Sequence, residues 1–164
     1  VCSSDLAVLA LATLMPDFRL LHTSPQGLAL ISDLEGCWLR PYQCSAGVWT
    51  SGIGHTAEVV PKQDITERQA AENLVADVLN TERRLAVCVP VDMPQSVYDS
   101  LVSFAFNVGT GTACRSTLVS FLKRQQWWQA CHQLARWVFV NGVRCPGLEN
   151  RRAREWSRCM QGAK

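Results

Sequence analysis

Residues 33–56, DLEGCWLRPYQCSAGVWTSGIGHT, decide the fold because they join a helix directly to a hairpin. Gly36 fits the position just past a helix C-terminus, where a left-handed backbone conformation is common. Two β-prone pieces follow, Tyr42-Gln43 and Val48-Trp49-Thr50, around a Ser45-Ala46-Gly47 turn. The stretch therefore predicts a helix that ends near Gly36 and a short β-hairpin punctuated by glycines.

The helix before this junction has a defined start and a defined apolar face. Ser24 serves as N-cap, and Pro25 occupies the first helical position. The apolar residues on one face are Leu28, Ile31 and Leu34. Glu35 is in the last turn, where the helix dipole disfavours a negative charge and favours the protonated carboxyl that a general acid needs. A surface glutamate at a helix end is the alternative interpretation.

An acid, a thiol and a hydroxyl thus fall on neighbouring elements. Glu35 ends the helix, and Cys44 and Thr50 belong to the hairpin. Because such groups supply protons and position nucleophiles when they lie close together, the arrangement predicts a catalytic site. Gly52 and Gly54 follow, and they permit a tight backbone turn or the close approach of a ligand.

The rest of the chain predicts helices. Thr66 and Gln69 form a capping box before a long helix that reaches about Val87. An Asn141-Gly142 turn interrupts the later helices, which we expect at residues 97–108, 116–121, 126–140 and 146–159. We therefore predict an α+β fold dominated by helix, with one domain at residues 24–164.

Residues 1–23 differ from the rest of the chain. Residues 6–15 form an apolar run with the length and Ala/Leu texture of a signal-peptide core, whereas a transmembrane helix needs about twenty residues. We expect a truncated, signal-anchor-like segment that is followed by a linker. Residues 1–6, VCSSDL, are also what a common sequencing-adapter oligonucleotide encodes, so a non-biological origin of Cys2 is the alternative.

Eight cysteines are scattered along the chain, without a Cys-x-x-Cys pair or a Cys/His cluster at zinc spacing. They predict disulfides in an oxidising compartment, and buried reduced thiols are the alternative. His55 and His132 lack a metal-spaced companion, so we expect no metal site. The net charge of +2 predicts no nucleic-acid partner. The C-terminal stretch is locally basic, and we expect it to form a solvated helix face. Binding of an anionic polymer such as cell wall is the alternative.

Three blocks resemble one known family. Glu35-x8-Cys44-x5-Thr50, followed by Gly-Ile-Gly-His, is similar to the Glu-x8-Asp-or-Cys-x5-Thr motif of the phage-type lysozymes (endolysins of the T-even phage lysozyme family of glycoside hydrolases). Residues 103–109 resemble the end of that family's central helix, and residues 141–143 with 146–155 resemble its C-terminal signature. The resemblance covers about residues 24–162. Most members carry Asp at the position of Cys44, whereas the signal-anchor-release subset carries a Cys that a disulfide masks.

The resemblance implies a lysozyme-like fold with a small β-hairpin lobe and a helical lobe, and no cofactor. The implied enzyme is a muramidase that lyses the host cell by hydrolysing the β-1,4 bond between N-acetylmuramic acid and N-acetylglucosamine of peptidoglycan, with inversion. Glu35 is the expected proton donor, and Thr50 positions the attacking water. Cys44 replaces the usual second carboxylate and is expected to assist weakly. The expected substrate-binding residues are Trp49, Gly52 and Gly54.

For the cysteines, the resemblance implies a switch. A Cys37–Cys44 disulfide removes the thiol from the site, and reduction, or exchange with Cys2 as the incoming thiol, restores it. A purely structural Cys37–Cys44 bond is the alternative. The expected structural pairs are Cys88–Cys114 and Cys131–Cys159. Cys145 has no assigned partner in this scheme. We expect a monomer in the host periplasm, in transient contact with the inner membrane through its N-terminal segment before release.

Two other functions fit the same residues. Because the second carboxylate is missing, Glu35 acting alone fits a lytic transglycosylase that makes an anhydro product. An inactive wall-binding or anchor protein, in which Cys44 marks the decay of the site, is an alternative from another class. The absence of Cys-x-x-Cys disfavours a thiol oxidoreductase.

Overall fold

A computed structural model of the chain describes residues 1–44 and 46–164. The helices are α1 (Asp5–Ala12), α2 (Pro25–Glu35), α3 (Glu67–Cys88), α4 (Gln95–Val108), α5 (Thr110–Cys114), α6 (Thr117–Lys123), α7 (Trp127–Gln133) and α8 (Pro146–Met160). The strands are β1 (Trp38–Gln43), β2 (Trp49–Gly52), β3 (Phe139–Val140) and β4 (Val143–Arg144), and short 3-10 helices lie at Pro16–Leu20 and Leu134–Arg136. The prediction of a mostly helical α+β fold is confirmed.

The chain divides into two compact units. Unit 1 comprises residues 1–22 and 31–80, and it contains the antiparallel β1–β2 hairpin. Gly36, with φ +72°, ends α2, and its N–H donates to the carbonyl of Ser32 at 2.9 Å, as the C-terminal glycine signal predicted. The Thr66–Gln69 capping box is also formed: the N–H of Thr66 donates to Gln69 Oε1 at 2.8 Å, and α3 follows.

The apolar N-terminal run forms α1, a helix of 8 residues in unit 1. Val8 and Ala12 are completely buried, whereas Leu6 and Leu14 are exposed. Within residues 1–44 and 46–164, none of the helices combines the length and apolarity that a bilayer crossing demands.

Unit 2 comprises residues 23–30 and 81–164, and α4 is its buried central helix. Four of its apolar side chains, Val97, Leu101, Val102 and Phe104, are at most 3% exposed. The disulfides Cys88–Cys114 and Cys131–Cys159 link α3 to α5 and α7 to α8, and they are the pairs that the family resemblance implied.

The prediction of one helix from Gln126 to Val140 is wrong. Helix α7 stops at Gln133, and the chain then enters β3. Asn141 and Gly142 both have positive φ, +50° and +78°, which is the backbone of a tight hairpin turn. Because such a turn requires paired strands on both sides, it fixes β3 and β4 as extended. The other predicted turn includes Ser45, which lies outside the described residues.

A buried carboxylate joins three segments of unit 2. Asp99 is 0% exposed, and Arg158 Nη2 donates to its Oδ2 at 2.7 Å. The N–H of Ser24 and the Nε2 of Gln95 donate to its Oδ1 at 2.9 and 2.8 Å. Ser24 also caps α2 by accepting from the N–H of Gly27 at 3.1 Å. The start of α2 is therefore held to α4 and α8 by one fully satisfied charge.

We expect Asp99→Ala to lower the free energy of unfolding by about 2–4 kcal/mol, because it leaves the partly buried Arg158 guanidinium without its counter-charge and the N–H of Ser24 without its acceptor. Urea unfolding followed by circular dichroism measures this change. Asp92→Ala, at an exposed position, is the matched control and should stay within about 0.5 kcal/mol of wild type. Equal losses in the two variants would contradict the role assigned to Asp99.

Candidate active site

The register of the β1–β2 hairpin determines which side chains share a face. Tyr42 pairs with Thr50, and Gln43 pairs with Trp49. The N–H of Cys44 donates to the carbonyl of Val48 at 3.0 Å, so the pairing continues toward the turn. Because side chains alternate along a strand, Tyr42, Cys44 and Thr50 lie on one face. The hairpin thus brings the predicted thiol and hydroxyl together.

Glu35 is the last residue of α2 and is half-buried. Glu35 affects the hairpin residue Tyr42: burial raises the pKa of this phenol, and the negative charges of Glu35 and of Cys44 raise it further. Thr50 is buried, and its hydroxyl donates to the carbonyl of Val48 at 3.3 Å. The hairpin therefore places Cys44 and Thr50 on the face of Tyr42, and the charge of Glu35 acts on the same phenol.

Tyr42 itself was missed by the sequence reasoning. The signal was available, because Tyr42 precedes Cys44 by two residues in a predicted strand and alternation puts such residues on the same face. The ring of Tyr42 also contacts Trp38 edge to face, with centroids 6.0 Å apart.

The three predicted substrate-binding residues differ in placement. Trp49 is adjacent to Thr50 in β2, so its side chain points to the opposite face of the hairpin. Gly52 has φ +57°, and an added Cβ would lie 3.3 Å from Cα of Ala70 in α3. Gly54, with φ +66°, lies in the turn between Ser51 and His55, whose main chains exchange two hydrogen bonds. The glycines therefore serve the turn and the packing on α3; a role in substrate binding stays a prediction for all three.

His55 is a structural histidine, as expected from the absence of metal-spaced companions. Its Nδ1 lies 2.7 Å from Oδ2 of Asp77, and both side chains are largely buried. The pKa of Asp77 is raised by burial, although the hydrogen bond from His55 opposes this effect. The pair connects the end of the hairpin to the middle of α3.

The cysteines near the site are paired differently from the predicted masked state. Cys37 forms a disulfide with Cys2, whose N–H donates to the carbonyl of Cys37 at 3.3 Å. Among the described residues, Cys44 and Cys145 are the cysteines outside disulfides. The predicted Cys37–Cys44 bond is thus absent from this structure, because the chain at Cys2 runs beside Cys37 and takes its place.

Comparisons with known proteins identify the family. The Phage lysozyme family model matches residues 32–155, which include the hairpin, α4 and most of α8. The chain belongs to the phage lysozyme family. It is therefore a muramidase, a glycoside hydrolase that acts on peptidoglycan.

This phage lysozyme is similar to several endolysins of known sequence or structure. It is 31% identical to the SAR-endolysin of Escherichia phage P1 over 95% of this chain and 91% of that protein. It is 32% identical to the SAR-endolysin of Enterobacteria phage P21 over 87% and 85% of the two chains. The crystal structure of the active form of P1 phage endolysin Lyz matches with a TM-score of 0.88 and 29% identity over 99% of this chain and 97% of that chain. The crystal structure of the secreted inactive form of the same P1 endolysin matches with a TM-score of 0.59 and 30% identity, over 87% of this chain and 97% of that chain.

We expect Gly52→Ala to destabilise this phage lysozyme by about 2–3 kcal/mol, because it combines an unfavourable positive φ with a tight contact against α3. Gly47→Ala is the matched control: φ is +77° there, but an added Cβ meets nothing within 4 Å, so about 1 kcal/mol is expected. Thermal or urea unfolding measures both. If the two variants lose the same stability, contact with Ala70 is not what requires glycine at position 52.

Proposed function

We propose that this phage lysozyme cleaves the β-1,4 bond between N-acetylmuramic acid and N-acetylglucosamine with Glu35 as the proton donor. The proposal is carried by the hairpin face that Cys44 and Thr50 share with Tyr42, the phenol whose pKa the charge of Glu35 raises. A glycosidic bond breaks when an acid protonates its oxygen while a second group serves the attacking side. Glu35, at a helix C-terminus, is suited to the first task.

Thr50 and Cys44 serve the attacking side. The Thr50 hydroxyl is held by the carbonyl of Val48, and a hydroxyl retains lone pairs that accept a hydrogen bond from water. Cys44 lies on the same face of the hairpin in place of a second carboxylate. Its thiolate provides negative charge near the oxocarbenium-like centre, while the water held by Thr50 attacks. This assignment predicts inversion, because water attacks the anomeric carbon directly and no covalent glycosyl-enzyme intermediate forms.

We expect Glu35→Gln to lower the rate of sacculus digestion by about 10²–10⁴-fold, because an amide cannot donate the proton. The release of reducing ends from purified sacculi measures the rate. Glu72→Gln is the control, since Glu72 is a half-exposed residue of α3 that pairs with Arg68. Full digestion by Glu35→Gln would rule out Glu35 as the acid.

A lytic transglycosylase is the second candidate, and the missing second carboxylate at Cys44 is the observation that favours it. Mass spectrometry of the digestion products distinguishes the two reactions. Hydrolysis adds one water to each cleaved bond, whereas transglycosylation leaves an anhydro sugar. We expect hydrolysis products, and the same Glu35→Gln preparation serves as the blank.

We further propose that a disulfide exchange switches the enzyme on. In the masked state Cys37 is bonded to Cys44. The Cys2 thiolate attacks the sulfur of Cys37, the Cys2–Cys37 bond forms, and Cys44 leaves as a thiolate, so no net oxidation occurs. The pairing in this structure corresponds to the switched-on product. The higher TM-score against the active form of the P1 enzyme than against its inactive form supports this interpretation.

The oxidised Cys37→Ser variant should digest sacculi without reductant, because Cys44 has lost the partner that masks it. Peptide mapping by mass spectrometry identifies the disulfides of the wild-type enzyme before and after activation. Cys145→Ser is the control, because Cys145 takes no part in the exchange and its loss should leave activation unchanged. If Cys37→Ser is no more active than the oxidised, masked wild type, the switch does not operate.

The names of the relatives suggest where the enzyme works. SAR-endolysins of phages P1 and P21 are among them, and α1 is an apolar segment at the start of this chain. We propose that the N-terminal segment holds the enzyme at the inner membrane of the host until release into the periplasm, where peptidoglycan is the partner.

A further inference from the structure

Two large aromatic side chains of β1 remain at the surface. Trp38 is 45% exposed and Tyr42 is 37% exposed. Their rings meet edge to face with centroids 6.0 Å apart and an angle of 65° between the planes. An edge-to-face contact holds the two rings in a fixed geometry and leaves ring faces open. Exposed aromatic surface that is held in place in this way is typical of a binding site.

The aromatic pair borders the residues of the candidate active site. The indole Nε1 of Trp38 lies 3.4 Å from the position that a Cβ on Gly36 would take, and Gly36 directly follows Glu35. Tyr42 pairs with Thr50 and shares its face of the hairpin with Cys44. The raised pKa of Tyr42 adds that its hydroxyl is neutral and lies in the field of Glu35 and Cys44.

The chemistry of the pair fits one kind of ligand. A pyranose ring has an apolar face of C–H groups and a rim of polar groups. An aromatic ring packs against the apolar C–H face of the sugar. A neutral phenol donates hydrogen bonds to the polar groups of the rim and accepts hydrogen bonds from them. We propose that Trp38 and Tyr42 form an aromatic platform that binds an N-acetylhexosamine ring of the glycan strand beside the bond that is cleaved.

The platform deepens the proposed function and rests on it, because Glu35 defines the cleaved bond. It also assigns the sugar contact to an aromatic side chain on the Thr50 face of the hairpin. Trp49, by contrast, is on the other face. Since the platform binds the sugar in the ground state and in the transition state alike, its loss raises KM and leaves kcat nearly unchanged.

Initial rates of reducing-end release, measured against the concentration of purified sacculi, test the platform. We expect Trp38→Ala to raise the apparent KM about tenfold, equivalent to about 1.4 kcal/mol of binding free energy. Trp38→Phe keeps an aromatic face and should restore most of the affinity. Trp128→Ala is the matched control, because Trp128 is also an exposed tryptophan, 53%, stacked on an aromatic neighbour, and should leave KM unchanged.

Three outcomes decide the proposal. An unchanged KM in Trp38→Ala, or an equal rise in Trp128→Ala, overturns it. Trp38→Leu, which fills the space without an aromatic face, replaces Trp38→Ala if that variant does not fold; a wild-type KM in folded Trp38→Leu also overturns it. The Glu35→Gln rate is measured beside these variants. If Glu35→Gln digests normally while Trp38→Ala raises KM, the acid assignment fails and the sugar contact stands.

Discussion

The pairing of Tyr42 with Thr50 is the interaction on which the site depends. Side chains alternate with a period of two along a strand, so a slip of one residue would turn Cys44 or Thr50 to the opposite face of the hairpin. The register is held at the end of β2. Gly52 fits closely against Ala70 of α3, and the His55–Asp77 pair fixes the chain just beyond β2. Long helix α3 is therefore the support against which the hairpin is aligned.

Unit 2 is organised by buried charges. Glu155 of α8 is 0% exposed and accepts from Arg151 Nε at 3.1 Å and from Arg152 Nη1 at 2.5 Å. Ser103 of α4 donates to the same carboxylate at 2.7 Å. Buried ion pairs contribute little net stability compared with apolar packing, but each partner is costly to leave alone. Loss of any one partner would therefore leave an uncompensated polar group between α4 and α8.

The sequence predicted what depends on local signals. Ser24 and Thr66 mark helix starts through their own hydrogen bonds, and Gly36 marks a helix end through its backbone conformation. The helix predicted at residues 126–140 is too long, because the tight turn at Asn141-Gly142 requires extended strands on both sides. The motif spacing selected Glu35, Cys44 and Thr50. Strand alternation would also have selected Tyr42, whereas Trp38 depends on a ring contact that spacing does not contain.

The pairing of the cysteines, too, could not be derived from sequence spacing alone. The scattered spacing allowed many pairings, and the resemblance to a family supplied Cys88–Cys114 and Cys131–Cys159, which the structure contains. Around Cys37 the sequence offered two partners, Cys2 and Cys44. Which one is bonded depends on where residues 1–3 run, and this is a long-range property that no local pattern encodes.

The state of Cys44 has a practical consequence. Cys44 is a half-buried thiol on the hairpin face that carries Thr50, and Cys145, in unit 2, is the other described cysteine outside a disulfide. An alkylating reagent under non-reducing conditions therefore has two sites to label in this structure. Because the adduct on Cys44 sits among the candidate catalytic groups, the ratio of labelled to unlabelled Cys44 peptide reports the fraction of molecules with an open site. Cys44 is thus a natural site for chemical labelling within the candidate active site.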